Sequence, residues 1–311
     1  MSETPEKGEK IFIQTLMGEG EEKMKGIKVL GINANSREGN TAVMVKEALK
    51  AAEAMENVET EYLSMHEHKV NPCTACRMCY ADVRGLKPDT ETFCHYWHKQ
   101  DPDDEGDLFI RKVIEADGLV IVSPTHEFDV SAECKALLGR ICKPFDEHVI
   151  TPWLGQNRFK TMGACTTAYT SHGGPEHTVM SILRFGLGLG YLTVGSAMTT
   201  EPDHNPISGH FGGIGAVNTA DEWWHPEAVT PAHSRITPPT IAVQAMRSAR
   251  CMGRNVATVA LMVQNGLDVL KEAEYNVPAV SFPKRWPKSL IKKNSYMEYL
   301  VEQGTIQAID A

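Results

Sequence analysis

Short apolar segments alternate with segments of helical periodicity along most of the chain, and this alternation constrains the fold more than any other feature. The segments that indicate strands lie at residues 26–33, 58–65, 118–123, 159–165 and 191–196, and residues 58–65 alternate between apolar and polar side chains. The segments with helical spacing lie at residues 41–54, 108–116, 131–145, 176–190 and 241–273. Because a strand–helix–strand connection makes its two strands parallel, the pattern predicts an α/β fold with a doubly wound, five-stranded parallel sheet.

Four segments outside this alternating pattern, two at the ends of the chain and two within the main domain, set the predicted domain organisation. Residues 1–25 are a polar N-terminal arm, residues 26–275 the main domain, and residues 276–311 a basic, aromatic C-terminal tail or extension. Within the main domain, residues 66–103 carry a cysteine-rich insertion and residues 197–239 a long insertion rich in Pro, Gly and His. A stretch of that length without periodicity is usually functional or a surface for a partner.

The composition limits the classes of function open to the chain. A formal net charge of −9 argues against a nucleic-acid-binding protein, which needs a basic surface. No apolar run reaches membrane-spanning length, and the polar first residues lack the apolar centre of a signal peptide. We therefore expect a soluble cytoplasmic protein with no nucleic-acid or membrane partner. Four scattered cysteines fit a reducing compartment as small core residues: Cys134, Cys142, Cys165 and Cys251.

Three cysteines at two-residue gaps, Cys73, Cys76 and Cys79, indicate an iron–sulfur cluster. Such a run can turn three thiolates toward one face of a cubane. The fourth ligand must come from elsewhere, and Cys94 is the nearest candidate, with one of its two neighbouring histidines as the alternative. Zinc is a competing hypothesis, although structural zinc sites usually use two separated Cys-x2-Cys pairs. The residues therefore favour one [4Fe–4S] cluster on these four cysteines and leave zinc open.

A polar loop joins the first predicted strand to the first predicted helix. Such a loop, followed by a helix N-terminus, offers backbone amides and partial positive charge to a phosphate group. Asn35, Asn40 and Thr41 add side-chain donors, and Arg37 adds a cation. The glycine fingerprint of dinucleotide-binding proteins and the lysine of nucleoside-triphosphate loops are both missing from it. On these residues alone, an ordinary polar turn with Asn40 as the helix N-cap is a slightly better interpretation.

Two further loops follow predicted strands and complete a recognisable pattern. The motifs of the three loops, together with the compact cysteine run, make the chain resemble the iron–sulfur flavoproteins of the flavodoxin-like, NAD(P)H-dependent FMN reductase superfamily. The similarity covers about residues 26–196. The residues that fit the family pattern in the loops and the helices after them are Arg37, Gly39, Asn40, Thr41, Ser123, Pro124, Val130, Ser131, Lys135, Arg140, Thr166, Thr167, Gly173, Gly174 and Glu176.

The resemblance implies a flavodoxin-like fold with FMN bound by the three loops. His126 stands where the family has an aromatic residue, so His126 and Glu127 are the candidate catalytic residues at the flavin edge. A histidine there could donate a proton to an acceptor near neutral pH, and packing against the flavin is an equally good interpretation. The implied FMN-binding residues are Asn35, Arg37, Asn40, Thr41, Ser123, Pro124, Thr125, His126, Phe128, Val130, Ser131, Thr166, Thr167, Gly173 and Gly174.

These features together predict an oxidoreductase that uses FMN and a [4Fe–4S] cluster. It would take electrons from a ferredoxin-like protein or NAD(P)H and pass them to a small-molecule acceptor. One alternative is a non-catalytic electron-carrier subunit of a larger redox complex. Another is a cluster-free NAD(P)H:quinone or FMN reductase whose cysteines hold zinc. The long insertion and the aromatic tail further predict a homo-oligomer, either a dimer or a tetramer.

Overall fold

The structure of the chain is a computed structural model. It describes residues 24–79, 92–143, 159–168, 174–196, 213–216, 243–272, 285–292, 295–302, 304 and 307–310. Most of the N-terminal arm, Gly173 and most of the insertion at residues 197–239 lie outside these described residues. Predictions that fall on those segments therefore stay predictions.

Nine strands and eight helices make up the regular structure of the described residues. The strands are β1 (Ile27–Asn33), β2 (Val58–Ser64), β3 (Gly118–His126), β4 (Asp129–Val130), β5 (Thr161–Ala168), β6 (Leu192–Thr193), β7 (Gly213–Ala216), β8 (Arg285–Pro287) and β9 (Gln307–Ile309). The helices are α1 (Asn40–Glu53), α2 (His95–Gln100), α3 (Gly106–Glu115), α4 (Ala132–Cys142), α5 (Pro175–Gly188), α6 (Val243–Glu272), α7 (Lys288–Ile291) and α8 (Ser295–Glu302). Among these described helices, none is both long and apolar enough to cross a membrane.

The main sheet has the strand order β2-β1-β3-β5-β6, and each neighbouring pair along this path is parallel. This is the order of flavodoxin-like doubly wound folds, in which the direction of winding reverses between β1 and β3. The predicted α/β fold with five parallel strands is therefore confirmed. Two short strands add to it, because β4 pairs antiparallel with the end of β3 and β7 pairs parallel with β5.

Alternate residues of the strands point to opposite faces of the sheet, and each face has its own apolar core. Leu30 and Ile32 of β1 are buried in one core, with Ile110 of α3 and Leu137 of α4. Val29 is buried in the other core, which α1 and α6 cover. Helices thus protect both faces of the sheet, and the carboxyl ends of its strands remain free to carry loops.

The edge of the sheet beyond β5 differs from the sequence prediction. The strand expected at residues 191–196 is shorter, Leu192–Thr193, and pairs with the first residues of β5. The carboxyl half of β5 pairs instead with β7, from Cys165↔Gly213 to Ala168↔Ala216. Strands β6 and β7 therefore share the edge of β5, one along its first residues and the other along its last. The segment Gly-Ile-Gly-Ala of β7 has no alternation that would mark it as a strand.

The C-terminal segment contains regular structure that the sequence pattern does not predict. Strands β8 and β9 pair in parallel, from Arg285↔Gln307 to Pro287↔Ile309, and α7 and α8 lie between them in the chain. The Nζ atom of Lys288 lies 2.9 Å from a carboxylate oxygen of Asp310, beside this pair of strands. The segment is therefore a small β-α-α-β unit.

Candidate functional site

Three loops meet at the carboxyl edge of the sheet, as the sequence predicts from the parallel strands. They follow β1, β3 and β5, which are neighbours in the sheet. The first loop, residues 34–39, is described in full, and so is the second loop with the hairpin at residues 127–128. Of the third loop, the structure describes the ends, up to Ala168 and from Gly174 onward. The candidate flavin residues of β1, β3 and β5 are thus brought together at one edge.

The first loop is held in place by its own asparagines. The Nδ2 atom of Asn33 donates to the carbonyl oxygen of Arg37 at 2.9 Å, and Nδ2 of Asn35 donates to Oγ1 of Thr41 at 3.1 Å. Asn33, Asn35 and Thr41 are buried, whereas the Arg37 side chain is exposed. The buried residues therefore shape the loop, and Arg37 is the side chain that extends from it toward solvent.

Helix α1 begins one residue earlier than an Asn40 cap would allow. Gly39 is the N-cap and Asn40 is the first helical residue, so the interpretation with Asn40 as N-cap is wrong. Within the described residues, no side chain caps this helix end. The backbone amides of the first turn are therefore left for another acceptor, which is the arrangement that binds anions at helix N-termini.

Glu38 anchors the first loop to β2, a role that the sequence analysis missed. Its carboxylate accepts hydrogen bonds from the Tyr62 hydroxyl at 2.6 Å, the Ser64 hydroxyl at 2.5 Å and Nζ of Lys46 at 3.1 Å. Burial alone would raise the pKa of Glu38, but these three bonds outweigh it and lower that pKa below its usual value. The burial of Tyr62 itself and its hydrogen bond to Glu38 raise the pKa of the Tyr62 hydroxyl. The carboxylate therefore stays ionised and fixes the loop.

Ser131 connects the second loop to the first. Its backbone amide donates to Oγ of Ser123 at 3.1 Å, and its own hydroxyl donates to the carbonyl oxygen of Ala34 at 3.0 Å. The Ser131 hydroxyl also accepts from the backbone amide of Cys134 at 3.1 Å, which makes it the N-cap of α4. Both serines are completely buried. The two serines thus position the loops from the protein interior and are not accessible to solvent.

A chain of threonine hydroxyls connects the second loop to the third. Oγ1 of Thr125 lies 3.0 Å from Oγ1 of Thr166 and 2.9 Å from Oγ1 of Thr178. Thr166 also reaches the carbonyl oxygen of Ser123 at 2.7 Å, and Thr178 reaches that of Gly174 at 3.1 Å. Three hydroxyl protons cannot fill these four contacts at once, so one contact is always without a bridging proton. The sequence predicts Thr125 and Thr166 in the site but gives no signal for Thr178.

A tight hairpin forms the tip of the second loop. Strands β3 and β4 pair with His126 opposite Asp129, and Glu127 and Phe128 make the turn with φ values of 45° and 71°. Two positive φ values define the turn class that normally uses Asn-Gly, so both side chains here are in a strained conformation. Phe128 is 68% exposed, although it is large and apolar. Strain and an exposed aromatic ring together are typical of a ligand-contacting loop.

Gly174 has a packing role at this hairpin. Its φ is 128°, and a Cβ atom at this position would lie 2.6 Å from Cα of Phe128. Only glycine therefore allows the start of α5 to approach the hairpin tip. His126 and Glu127 are both exposed at the tip, and the residue across the strand pair from His126 is Asp129, not Glu127.

The four candidate cluster cysteines lie in two segments that approach each other. Burial, together with the nearby charges of Cys94, Cys73 and Cys76, raises the pKa of the Cys79 thiol to about 12. The backbone amide of Ala75 donates to Sγ of Cys73 at 3.4 Å, so the run already curls around a sulfur atom. In the part of the chain that the structure describes, no three His, Cys, Asp or Glu side chains form a ready-made metal site. The donor set fits a cluster that would draw the thiols together.

Arg140 lies beside the cysteine segments. The family pattern places it in the helix after the second flavin loop, but its guanidinium bonds the carbonyl oxygen of Asn71 at 3.1 Å. Gly139, one residue earlier, packs against the first cysteine, since a Cβ atom there would lie 3.6 Å from Cβ of Cys73. Helix α4 therefore starts at the flavin loops, with Ser131 as its N-cap, and reaches the cysteine run near its other end.

Comparisons with known proteins relate the chain to FMN reductases and to iron–sulfur flavoproteins. The sequence profile of the family described as NADPH-dependent FMN reductase matches residues 27–204, which include the three loops and the cysteine run. An iron–sulfur flavoprotein of Methanocaldococcus jannaschii is 34% identical over 191 residues, covering 61% of this chain and 82% of that protein. An iron–sulfur flavoprotein of Methanosarcina thermophila is 27% identical over 201 residues, covering 63% of this chain and 85% of that protein. A crystal structure of RosB with a bound formylriboflavin phosphate intermediate has a TM-score of 0.49 and 17% identity, covering 83% of this chain and 96% of that chain.

Proposed function

Because the chain belongs to the NADPH-dependent FMN reductase family and is a flavin-dependent oxidoreductase with FMN as its cofactor, we propose that it pairs FMN with one [4Fe–4S] cluster. Cys73, Cys76, Cys79 and Cys94 would hold the cluster. The observation that carries this proposal is the run of three cysteines at two-residue gaps, in which Cys79 lies near enough to Cys73, Cys76 and Cys94 for their charges to act on its thiol. Relatives named iron–sulfur flavoproteins support it.

The FMN phosphate would bind the first loop, between Asn35 and Thr41. The uncapped N-terminus of α1 offers backbone amides, and the exposed Arg37 side chain offers a cation. In flavodoxin-like sheets the FMN lies at the switch between β1 and β3, where this loop begins. Phe128 and His126 on the hairpin would contact the ring, and Thr125, Thr166 and Gly174 would form the floor of the site.

The two proposed cofactor sites lie toward opposite ends of α4. Ser131 caps the helix at the flavin loops, and Gly139 packs against Cys73. Eight residues of helix separate them, which is about 12 Å at the rise of an α-helix. FMN supplies two-electron chemistry and the cluster supplies one-electron transfer when both are bound. This chain's contribution is to hold the two sites on one rigid element.

The proposed reaction moves electrons from NAD(P)H or a ferredoxin-like protein to a small-molecule acceptor. The family description, with its reduced nicotinamide donor, supports NAD(P)H, and the cysteine segment, with Cys76 exposed, supports a protein donor that delivers single electrons. Stopped-flow reduction of the purified protein by each donor distinguishes them, because only the physiological donor should reduce the flavin within the turnover time. Absence of turnover with any donor and acceptor would favour an electron-carrier subunit.

Anaerobic purification followed by iron, sulfide, zinc and FMN analysis tests the cofactor assignment. We expect about four irons and four sulfides per chain, the content of one cubane. Replacing Cys73, Cys76, Cys79 or Cys94 by Ala should remove most of the iron. Cys134→Ala is the control, because Cys134 is fully buried in the core. Zinc in place of iron, or full iron in Cys94→Ala with loss in Cys134→Ala, would contradict the assignment.

We also propose that the protein is a homo-oligomer. Met262 and Val269 lie two turns apart on α6 and are 69% and 60% exposed, so this helix presents apolar surface to solvent. A second copy of the chain would cover it. Light scattering should give a dimer or tetramer, and Met262→Lys with Val269→Lys should shift it toward monomer. A wild-type monomer that is fully active at high dilution would contradict the proposal.

A further inference from the structure

We propose that Arg140 holds the two cysteine segments together and raises the reduction potential of the cluster between them. The inference rests on the proposed [4Fe–4S] cluster and concerns how the protein controls it. Arg140 would contact neither substrate nor flavin: it would position the cysteine segments and place a positive charge and one N–H donor beside the cluster.

The guanidinium of Arg140 is buried in an ionic network. Its side chain is 2% exposed, as is that of Asp104, and their closest atoms, Nη2 and Oδ1, lie 2.8 Å apart. Nη1 donates to the other oxygen of Asp104 at 2.9 Å, so the pair is bidentate. Nη2 also lies 3.4 Å from Oδ1 of Asp107. A charge with this burial persists only when it is paired and hydrogen-bonded.

This network connects both cysteine segments. On one side, Nη1 of Arg140 donates to the carbonyl oxygen of Asn71, and Oδ2 of Asp104 accepts from the amide of Asn71 at 2.8 Å. Asn71 lies two residues before Cys73. On the other side, Oδ1 of Asp107 accepts from the amide of Cys94 at 3.0 Å. One guanidinium thus fixes the backbone that carries the first ligand and, through Asp107, the backbone of the fourth.

One N–H donor of Arg140 has no partner among the described residues. A guanidinium has five N–H donors. Nη1 uses two on Asp104 and Asn71, and Nη2 uses two on Asp104 and Asp107. The Nε atom is buried and has no partner among the described residues. Its N–H is the donor left for a sulfur atom of the cluster or of Cys94.

The fold also reserves space for an arginine at this position. A Cβ atom on Gly106 would lie 2.4 Å from Nη2 of Arg140. A glycine at the first position of α3 therefore leaves the volume that the guanidinium occupies. Lysine has the charge but lacks the planar fork, and it cannot make the bidentate bond to Asp104 together with the bond to Asn71. The Arg140→Lys variant therefore separates the effect of the positive charge on the potential from the effect of the hydrogen bonds on the position of the cysteine segments.

The sign of the effect on potential follows from the charges. Reduction adds negative charge to the cluster, and a nearby cation stabilises the reduced form, which raises the potential. Without Arg140, the carboxylates of Asp104 and Asp107 would face the thiolates without their counter-ion. Arg140→Met should therefore shift the potential to more negative values. Asp107→Asn removes a negative charge and should shift it the opposite way.

The test compares Arg140→Met, Arg140→Lys and Asp107→Asn with wild type, and uses Arg184→Met as control. Arg184 is exposed on α5, and its replacement by Met removes the same positive charge from the protein. The measurements are iron and FMN per chain, the rate of iron loss to a chelator, and the midpoint potential from a redox titration followed by electron paramagnetic resonance. We expect iron loss about 10-fold faster in Arg140→Met and Arg140→Lys, as for other residues that support metal ligands. Arg140→Lys should keep a potential near that of wild type.

Several outcomes would overturn the inference. A fully loaded Arg140→Met protein with wild-type potential would show that Arg140 neither positions nor tunes the cluster. Shifts of the same sign in Arg140→Met and Asp107→Asn would show that packing, and not charge, sets the potential. If the Arg140→Met protein does not fold and therefore also loses FMN, the iron-loss rate of Arg140→Lys and the midpoint potential of Asp107→Asn decide whether the inference holds. Absence of iron from the wild-type protein would instead refute the proposed cluster itself.

Discussion

The hydroxyl of Ser131 donates a hydrogen bond to the carbonyl oxygen of Ala34 at 3.0 Å, across 97 residues of sequence. The bond joins the loop after β1 to the start of α4. Since the same hydroxyl caps α4 by accepting from the backbone amide of Cys134, one buried side chain sets the relative position of two of the loops proposed to bind the flavin. A change at Ser131 should therefore affect stability and flavin binding together.

Ser131→Ala should lower the free energy of unfolding by about 1 to 2 kcal/mol, the range for a lost helix N-cap. It should also weaken FMN binding, because Ala34 and the first loop lose their tie to the second. Ser131→Thr is the matched control, since it keeps a hydroxyl that can cap and donate. Urea unfolding and titration of the apoprotein with FMN measure both effects. Equal FMN affinity in Ser131→Ala and wild type would argue against a shared role of the two loops.

Arg37→Ala should weaken FMN binding without changing stability. Arg37 is exposed, and its side chain takes no part in the hydrogen bonds that shape the first loop. A lost charge-assisted bond to phosphate costs about 1.5 to 3 kcal/mol, which is roughly a 10- to 100-fold rise in the Kd. Lys50→Ala, an exposed change on α1, the helix that follows the loop, controls for net charge. If riboflavin, which lacks the phosphate, loses as much affinity as FMN does, Arg37 does not bind the phosphate.

Much of the fold follows from local patterns in the sequence. Strands β1 and β3 are short apolar runs and β2 alternates between apolar and polar residues, so their positions and their parallel direction follow from periodicity and from the crossover connections. Strands β4 and β7 could not be predicted in this way. Residues Asp129–Val130 form a strand because the turn at Glu127 folds the chain back, and β7 exists because β5 offers an unpaired edge.

The candidate site was predictable in location and less so in detail. Loops after parallel strands must meet at one edge, so Asn35, Ser123 and Thr166 could be grouped from the sequence. Glu38 and Thr178 could not, because their roles depend on contacts far along the chain, such as the 53 residues between Thr125 and Thr178. In the same way, a family pattern places Arg140 in the correct helix but does not show that it turns toward the cysteines.

Phe128→Gly should increase stability and decrease flavin affinity. Phe128 has a φ of 71° in the hairpin turn, and relieving a left-handed conformation gains up to about 1 kcal/mol. The exposed ring that would lie against the flavin is lost at the same time. Glu127→Gly is the control, because it relieves a φ of 45° and keeps the ring. Thermal unfolding of the apoprotein and FMN titration should separate the two variants, and equal FMN affinity in both would exclude a flavin contact by Phe128.

His126→Phe should slow reoxidation of the flavin by the acceptor while its reduction stays normal. His126 is exposed at the end of β3, beside the strained turn, where it could donate a proton to the acceptor. Phenylalanine keeps the packing area and removes the proton. Stopped-flow spectroscopy of the two half-reactions from pH 5 to pH 8 measures this, with FMN content as the check on folding. Wild-type reoxidation rates in His126→Phe across that range would leave packing as the role of His126.

Lys160 should make stability rise with pH in mildly alkaline solution. It lies just before β5, where its Nζ atom donates to the carbonyl oxygens of Ile114 at 2.5 Å and Val113 at 3.2 Å, at the end of α3. Burial lowers the pKa of Lys160 to about 8, although the charge of Asp117 opposes this. In the unfolded chain the pKa of a lysine is about 10.4, so between these values the unfolded state binds more protons than the folded state.

The stability contributed at Lys160 should therefore increase from pH 8 toward pH 10, by about 1 to 3 kcal/mol in all. Lys160→Met removes the titration and serves as the reference, so the quantity to measure is the wild-type minus variant difference in the free energy of urea unfolding. The difference should shift in favour of the wild type between pH 7.5 and pH 9.5, below the range in which tyrosines titrate. Because Met also leaves two helix carbonyls without a donor, the absolute difference at one pH is not informative. A difference that stays constant with pH would show that the Lys160 ammonium is as well solvated in the folded protein as in the unfolded chain.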